Sequence, residues 1–427
     1  MVSAAKVIVV APPAVACENP AEMRYGGVER VAWRLVRMLT ALGCDVVPVA
    51  SADSDFSSSV TTRGLSPVPS WCRPDRTPQV YAEDTTALLD RFGDHVRRVV
   101  EAERADAVLM LGPSLPVLRE TLTAARAADS RAAVVLHNGP VDNVDTMPLL
   151  AAADVTIFCL CEAQRSSFGA LAQRMEVVTD GIPVDTVPFS GDPALTRNRL
   201  SRDPAYAGLQ LRAERPLVGQ IDYFHVNKAM LTTLQIFLDS GLWRTHDLLL
   251  AGGPGWQLPS RSNSAEEPYL NQMRAFVTRN DLDGCVRVHG ELTGVQAAEL
   301  YGAMDVCVSP VRLESRSESR DAESYGQGRA IANSAGTPVL MSTAYDRSFS
   351  ARPEFRFDSA EQGAQLLGDL TVSAETRHEM RAFAERRDSM APALARYAQF
   401  VGLHRTQDDV AQAVAQVVDS EVNRGRH

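Results

Sequence analysis

Three glycine-bearing segments of this 427-residue chain have the form of phosphate-binding loops. Gly26-Gly27 opens a helical pattern after a first apolar run, and the segment 251–253 (AGG) directly follows another apolar run. The third segment, 323–329, reads ESYGQGR and leads into a helical stretch. Helix N-termini expose backbone N–H groups that favour anions, and glycine lets the backbone approach a pyrophosphate closely. Together the three segments predict an anionic ligand.

The elements that would position these loops are short strands alternating with helices. Runs rich in Val, Ile and Leu, separated by helical stretches, are typical of parallel sheets covered on both faces. The predicted strands are 6–10, 45–50, 107–111, 133–136, 155–160, 176–179, 217–220, 248–251, 286–288, 306–309 and 339–342. From about residue 360 the sequence has few Gly or Pro residues, which predicts a helical tail. Because ligands of open parallel sheets bind at the carboxyl ends of the strands, the three loops are expected there.

The chain is too long for one hydrophobic core, since such cores stop growing at about 250–300 residues. We expect an α/β protein with two facing, doubly wound Rossmann-like domains and a C-terminal helical tail. The N-terminal domain is expected at 1–190, the C-terminal domain at 191–375, and helices that cross back to the N-terminal domain at 376–427. The polar, irregular stretch 187–215 predicts the linker between the domains.

Charge and composition argue against several classes of protein. The net charge of −10 argues against nucleic acid or an anionic membrane as the main partner. No apolar run approaches the roughly 18 residues of a membrane-spanning helix, and the short apolar run near the N-terminus predicts a strand rather than a signal peptide. The seven cysteines are scattered without metal-ligand spacing, which predicts reduced thiols in a core. We therefore expect a cytoplasmic protein with no integral membrane segment.

The order and spacing of several motifs resemble the GT-B glycosyltransferases, and within them the large retaining family four. The resemblance extends from about residue 5 to residue 345. Its marks are GGVER at 26–30, His137 after a strand, DGIPVD at 180–185, AGG at 251–253, ESYG at 323–326 and AGTPV at 335–339. It implies a GT-B fold and the transfer of a sugar from a nucleoside diphosphate sugar with retention of anomeric configuration.

The resemblance also implies roles for particular residues. The nucleotide would lie mainly against the C-terminal domain and the acceptor against the N-terminal one, with domain closure completing the site. Lys228 would neutralise the leaving phosphate, since no metal is expected to supply that charge, while Glu323 would contact the transferred sugar and His137 would lie beside it. The catalytic candidates are thus His137, Glu323 and Lys228. The donor-binding candidates are Gly26, Gly27, Gln220, Lys228, Gly253, His289, Tyr325, Gly326, Gln327, Gly328, Arg329 and Ile331.

Two positions depart from the pattern of the family. Ile331 stands where a second glutamate usually grips the ribose, and Gln220 stands where an arginine commonly follows the glycine of a strand. At about 1.5–3 kcal/mol for each hydrogen bond to a charged group, the two losses would weaken donor binding noticeably. Arg329 is close enough in sequence to replace the missing positive charge, and a carboxylate within 312–321 is a candidate for the ribose. The departures indicate an atypical branch with an unusual donor, or weakened catalysis.

Each candidate also has a structural interpretation. His137 could be a satisfied core histidine, Lys228 a solvated helix residue, and Glu323 a carboxylate favoured by a helix N-terminus. His289 is expected either in the wall around the nucleotide base or in a purely structural position. The four arginines around the first helix predict a solvated basic face: Arg24, Arg30, Arg34 and Arg37.

Several functions remain open at the level of sequence. The leading hypothesis is a retaining, metal-independent glycosyltransferase that uses a GDP- or UDP-linked sugar and a small soluble acceptor, in bacterial secondary-metabolite (antibiotic) biosynthesis, with a homodimer as a candidate assembly. A nucleotide-sugar epimerase of the same fold and a catalytically lapsed nucleotide-sugar-binding subunit are the alternatives. A dehydrogenase is disfavoured because no G-x-G-x-x-G follows the first strand.

Overall fold

The computed structural model describes residues 4–23, 27–56, 60, 63–68, 70, 85–137, 143–253, 266–313 and 326–424. These residues fall into two compact units. The first unit contains the described residues up to Gly181 together with those from Met390 onward, and the second extends from Ile182 to Ser389. No helix among the described residues is long and apolar enough to cross a membrane.

The first unit is built on a parallel sheet of six strands in the order β2-β1-β3-β4-β5-β6. Its strands are β1 (Lys6–Val10), β2 (Asp45–Val49), β3 (Ala107–Leu111), β4 (Arg131–Leu136), β5 (Thr156–Cys159) and β6 (Met175–Val177). Its connecting helices are α1 (Gly27–Ala41), α2 (Thr85–Glu103), α3 (Leu115–Ala127), α4 (Met147–Ala152) and α5 (Glu162–Ser167). The strand order reverses between β1 and β3, which is where open sheets of this kind form their ligand crevice.

The second unit repeats this architecture with the order β12-β11-β10-β7-β8-β9. In chain order its elements are α6 (Pro193–Leu200), β7 (Leu217–Ile221), α7 (Met230–Asp239), β8 (Asp247–Ala251), α8 (Glu266–Arg279), β9 (Val286–His289), α9 (Gly294–Ala303), β10 (Val306–Ser309), α10 (Gln327–Ser334), β11 (Val339–Ser342), β12 (Arg356–Phe357), α11 (Ala360–Asp369) and α12 (Ala374–Arg387). The order reverses between β7 and β10. The prediction of two doubly wound Rossmann-like sheets is therefore confirmed.

The strands form because their apolar residues are buried on both faces, as parallel strands covered by helices require. All five residues of β3 are buried, and so are all five of β8 and all four of β10. Each unit has its own core of aliphatic and aromatic side chains packed between its sheet and its helices. The six described cysteines are buried and form no disulfide with one another, as expected for reduced core thiols.

The stretch 187–215 is not an irregular linker, so that prediction is wrong. It contains α6, whose first turn is capped by the Asp192 carboxylate accepting from the amide of Ala194 at 2.9 Å. Arg197 of this helix is buried, and its guanidinium donates to the Asp305 carboxylate at 2.6 Å and to the Ala303 carbonyl at 2.8 Å. The polar residues that suggested a linker are therefore a helix cap and a buried anchor of the second unit.

The C-terminal part of the chain is helical, as predicted. After α12 follow α13 (Met390–Phe400) and α14 (Gln407–Arg424), which belong to the first unit. Arg34 of α1 is buried and donates to both carboxylate oxygens of Glu421 on α14, at 3.0 and 2.7 Å. The expected solvated basic face on α1 is therefore wrong at Arg34, because α14 covers that side of the helix.

Candidate functional site

The loop after β7 carries a buried lysine near the strand-order reversal of the second unit. Lys228 lies on a short 3-10 turn that begins at Val226, and only 9% of the residue is exposed. Its ammonium lies 3.4 Å from the Asp222 carboxylate and 5.1 Å from the centre of the Tyr223 ring. A cation in this position can attract a phosphate strongly, because burial weakens the screening by water.

Gln220, on β7, anchors the loop that carries Lys228. The residue is buried, and its side-chain amide donates a 2.7 Å hydrogen bond to the main-chain carbonyl of Lys228. Its side-chain oxygen accepts a 2.5 Å hydrogen bond from the Thr233 hydroxyl on α7. Both polar ends of the candidate donor-binding residue are thus engaged within the protein. The next residue in the loop, Ala229, has a left-handed backbone conformation with φ of 52°, which this anchoring helps to maintain.

The first turn of α10 lies directly on an aromatic side chain. A Cβ atom at Gly328 would lie 2.7 Å from the hydroxyl of Tyr301, so a larger residue fits only if the tyrosine moves. Tyr301 is itself buried, and its hydroxyl donates to the carbonyl of Ile221 at 3.1 Å. Gly326 and Gln327 precede it at the amino end of the helix. The glycine spacing of the sequence motif therefore has a packing reason in addition to any phosphate contact.

The two neighbouring candidates on α10 differ in their surroundings. The Arg329 guanidinium is buried and donates to both carboxylate oxygens of Asp388, at 3.0 and 2.8 Å, and to the carbonyl of Phe349 at 3.2 Å. Its charge is therefore neutralised inside the unit, and the expectation that it replaces the missing donor-site charge loses its support. Ile331 is half-buried and offers no polar atom to a ribose.

Two further candidates, His289 and Gly253, lie at the end of β9 and just after β8. His289 ends β9 and is half-buried, and burial lowers the pKa of its imidazole. Its main-chain carbonyl accepts a 3.2 Å hydrogen bond from the amide of Gly252. The carbonyl of the neighbouring Gly253 accepts from the amide of Phe224 at 3.0 Å. The loops after β7, β8 and β9 are thus joined by main-chain hydrogen bonds at the carboxyl ends of the strands.

In the first unit, His137 follows β4 and lies close to a carboxylate that follows β6. The Nε2 atom of His137 is 3.1 Å from an oxygen of Asp180, and both residues are buried. Glu29 in the first turn of α1 is a second buried carboxylate, and burial raises its pKa to about 7, against the opposing effects of backbone hydrogen bonds and of the nearby His137. Two carboxylates and one imidazole therefore share this part of the unit.

The motifs taken singly do not predict this cluster, although they contain its residues. Glu29 belongs to the GGVER motif and Asp180 to the DGIPVD motif, and each follows a strand of one sheet. Gly27 is the first residue of α1 and is exposed. Gly26, Glu323 and Tyr325 lie outside the described residues, so their predicted roles stay predictions.

Comparisons with known proteins identify the fold. No protein-family model matches the sequence, and no curated protein matches it. HepE from Anabaena, solved with UDP and glucose, aligns with 93% of this chain and 99% of its own at 14% identity, with a TM-score of 0.65. Sucrose-phosphate synthase from Thermosynechococcus elongatus aligns with 92% of this chain and 98% of its own at 15% identity, with a TM-score of 0.69. AviGT4, a glycosyltransferase involved in avilamycin A biosynthesis, aligns with 93% and 97% at 14% identity, with a TM-score of 0.55.

These likenesses cover almost the whole of each chain. At such low identity they establish the fold and leave the activity to be argued from the site. The chain has the GT-B fold, and the fold predicted from the order of its motifs is confirmed.

Proposed function

We propose that the protein is a glycosyltransferase that moves a sugar from a nucleoside diphosphate sugar to a small acceptor, with retention of configuration and without a metal. The observation that carries the proposal is the buried Lys228 ammonium at the carboxyl end of β7, in a chain that contains only two lysines among its 43 basic residues. The glycine-bearing start of α10, from Gly326 to Gly328, belongs to the same unit. The GT-B likeness adds to this support.

Lys228 is proposed to stabilise the leaving nucleoside diphosphate. Negative charge grows on the phosphate as the bond to the sugar breaks, and a fixed cation lowers the energy of that state. Asp222 at 3.4 Å is the counter-ion of the ammonium in the free protein. An incoming diphosphate would have to share the ammonium with Asp222, so the carboxylate is expected to limit nucleotide affinity.

The remaining catalytic assignments are also proposals. His137 is proposed to hydrogen-bond a hydroxyl of the transferred sugar, and Glu323 is proposed to contact the same sugar. The turn from Gly326 to Gly328 is proposed to donate backbone N–H groups to the phosphates. Arg329 is not proposed to contact the donor, because its guanidinium is paired with Asp388.

The donor is proposed to be a UDP-linked sugar, with a GDP-linked sugar as the alternative. HepE, which shares the fold, has been solved with UDP-glucose, at 14% identity and a TM-score of 0.66. An acceptor from secondary metabolism is proposed because AviGT4 acts in avilamycin A biosynthesis and because Gln220 and Ile331 depart from the common donor-site pattern.

The test is a transfer assay with purified protein, UDP-, GDP-, ADP- and TDP-sugars, and a panel of small hydroxyl-bearing acceptors. We expect acceptor-dependent release of one nucleoside diphosphate and a product with the anomeric configuration of the donor. Lys228→Ala should lower the rate at least about 100-fold, in the range found when one group that stabilises transition-state charge is lost. The matched control is Lys6→Ala, which removes the other lysine, whose ammonium lies 3.2 Å from the Glu103 carboxylate. Equal activity of the two variants would contradict the assignment.

A second candidate is a nucleotide-sugar-binding subunit without turnover of its own. Gln220 is fully engaged within the protein and Ile331 has no polar side chain, and both observations favour this alternative. It predicts nucleotide binding with no product for any acceptor. A donor that is isomerised or hydrolysed without an acceptor would instead indicate the epimerase alternative.

A further inference from the structure

Among the residues that the structure describes, two of the buried polar atoms of the first unit that have no hydrogen-bond partner line one cavity. One is Oδ1 of Asp180, in the loop after β6, and the other is the hydroxyl oxygen of Tyr397 on α13. The two residues are only 3% and 2% exposed. Because an unmade hydrogen bond is costly in the interior, such atoms usually have a water molecule as their partner.

Both residues line the same small cavity between α1 and α13. Its volume is about 20 Å³, and a cavity measured in this way needs about 10–15 Å³ to hold a water molecule. The remaining lining residues are largely apolar: Val31, Arg34, Leu35, Met38, Gly181, Met390, Ala393 and Leu394. The cavity therefore has room for one water and two polar atoms that need it.

The loop after β6, which carries Asp180, contacts the start of α13 through its backbone. A Cβ atom at Gly181 would lie 2.1 Å from the Cα atom of Met390, so the chain after Asp180 touches the start of α13 directly. This contact fixes the distance between the Asp180 loop and the helix that carries Tyr397. Burial, and then the negative charge of Asp180, raise the pKa of Tyr397, so that its hydroxyl keeps the proton it needs as a donor.

We propose that one buried water accepts a hydrogen bond from Tyr397 and donates one to Oδ1 of Asp180. The other oxygen of Asp180, Oδ2, lies 3.1 Å from Nε2 of His137. The series Tyr397, water and Asp180 therefore connects α13 to a carboxylate that is in electrostatic contact with the imidazole at the end of β4. Asp180 and Tyr397 are positioning residues that fix the orientation of this ring. The importance of that orientation for catalysis rests on the proposed function, whereas the water and the series of contacts do not.

The water is tested by a crystal structure of the full chain together with the variant Tyr397→Phe. We expect a density peak within hydrogen-bond distance of both oxygens. We also expect the variant to have a lower unfolding midpoint than the wild type, because it removes a satisfied hydroxyl. An empty cavity, or a midpoint that rises when an unpaired hydroxyl is removed, would overturn the proposal.

The connection to His137 is tested by ¹⁵N NMR of the imidazole nitrogens, with the His137→Gln variant used to assign the resonances. Tyr397→Phe should shift the His137 resonances, because Asp180 loses its link to the helix. The matched control is Phe400→Leu, since Phe400 packs edge-on against the same ring, Phe158, as Tyr397 does but does not line the cavity.

Unchanged His137 resonances in Tyr397→Phe, or equal shifts in the control, would overturn the positioning role. These measurements require no transferase activity, so their outcome is separate from that of the proposed function. A protein that retains the water and the shifts but transfers no sugar would contradict only the proposed function.

Discussion

The side-chain amide of Gln220 donates a 2.7 Å hydrogen bond to the main-chain carbonyl of Lys228. The glutamine found where an arginine was expected therefore supports the loop that carries Lys228. The Thr233 hydroxyl completes the arrangement by donating to Gln220 at 2.5 Å. A glutamine fits this position because it offers one donor and one acceptor to two buried partners, which an arginine could not do.

Replacement of Gln220 by leucine should destabilise the protein and weaken nucleotide binding together. The variant removes the hydrogen bonds of Gln220 with the Lys228 carbonyl and the Thr233 hydroxyl, at about 1–3 kcal/mol for each buried group. Urea unfolding and calorimetric titration with UDP measure the two effects. The control is Gln235→Leu, which removes an amide that bonds the Asp239 carboxylate on the surface of α7. Normal UDP affinity in Gln220→Leu would show that the glutamine has no part in positioning Lys228.

An added methyl group at position 328 should disturb the first turn of α10. In Gly328→Ala, Tyr301 has to move away from a Cβ atom 2.7 Å from its hydroxyl, at an overpacking cost of about 1–3 kcal/mol. We expect UDP affinity to fall more than about tenfold, equivalent to about 1.4 kcal/mol. Gly284→Ala is the control, because a Cβ atom there meets nothing within 4 Å. Addition of Tyr301→Phe should restore part of the loss, and a variant with wild-type affinity would argue against the packing interpretation.

The buried Glu29 should make stability depend on pH. Its pKa is raised from 4.5 to about 7, so between these values the folded state binds more protons than the unfolded state and stability falls as the pH rises. Glu29→Gln removes this effect and should stabilise the protein at pH 8 by up to about 3 kcal/mol, with little change at pH 4. Thermal or urea unfolding across this range measures the difference. A stability gain that is equal at both pH values would contradict the assignment, and the exposed Glu361→Gln serves as the control.

The buried pair of Arg34 and Glu421 should be essential for docking α14. Arg34→Met leaves the Glu421 carboxylate buried without its guanidinium, which should cost about 3–5 kcal/mol. The double variant with Glu421→Leu should recover most of the loss, because no buried charge then remains. Unfolding curves and proteolysis of the C-terminal helix measure both effects. If Arg34→Met were as stable as the wild type, the Glu421 carboxylate would not need the guanidinium, and the prediction would be wrong.

The fold could be predicted from sequence because its signals are local. Apolar runs buried on both faces announce parallel strands, and four of the predicted strands match the observed bounds residue for residue: β1, β3, β10 and β11. Helix α6 was missed because its anchor, Arg197, finds Asp305 more than 100 positions away. No local sequence pattern predicts a partner at that distance along the chain.

The same reason limits what the sequence can say about the candidate site. Lys228 and the glycine turn have recognisable motifs, whereas the partners of Gln220 and Arg329 depend on how distant segments pack. The departure at 220 therefore suggested a weakened donor site, while the observed hydrogen bonds give that residue a supporting role. Asp180 likewise belongs to a recognisable motif, but the sequence does not predict that it lies next to His137.

The central claim is that a nucleoside diphosphate binds at Lys228. Calorimetric titration of the full chain with UDP and GDP, repeated on Lys228→Met and Lys6→Met, tests it most directly. We predict that one nucleotide binds the wild type and Lys6→Met equally, and that Lys228→Met binds it at least about tenfold more weakly, which corresponds to about 1.4 kcal/mol. Equal affinity in all three proteins, or no binding of either nucleotide to the wild type, would contradict the account.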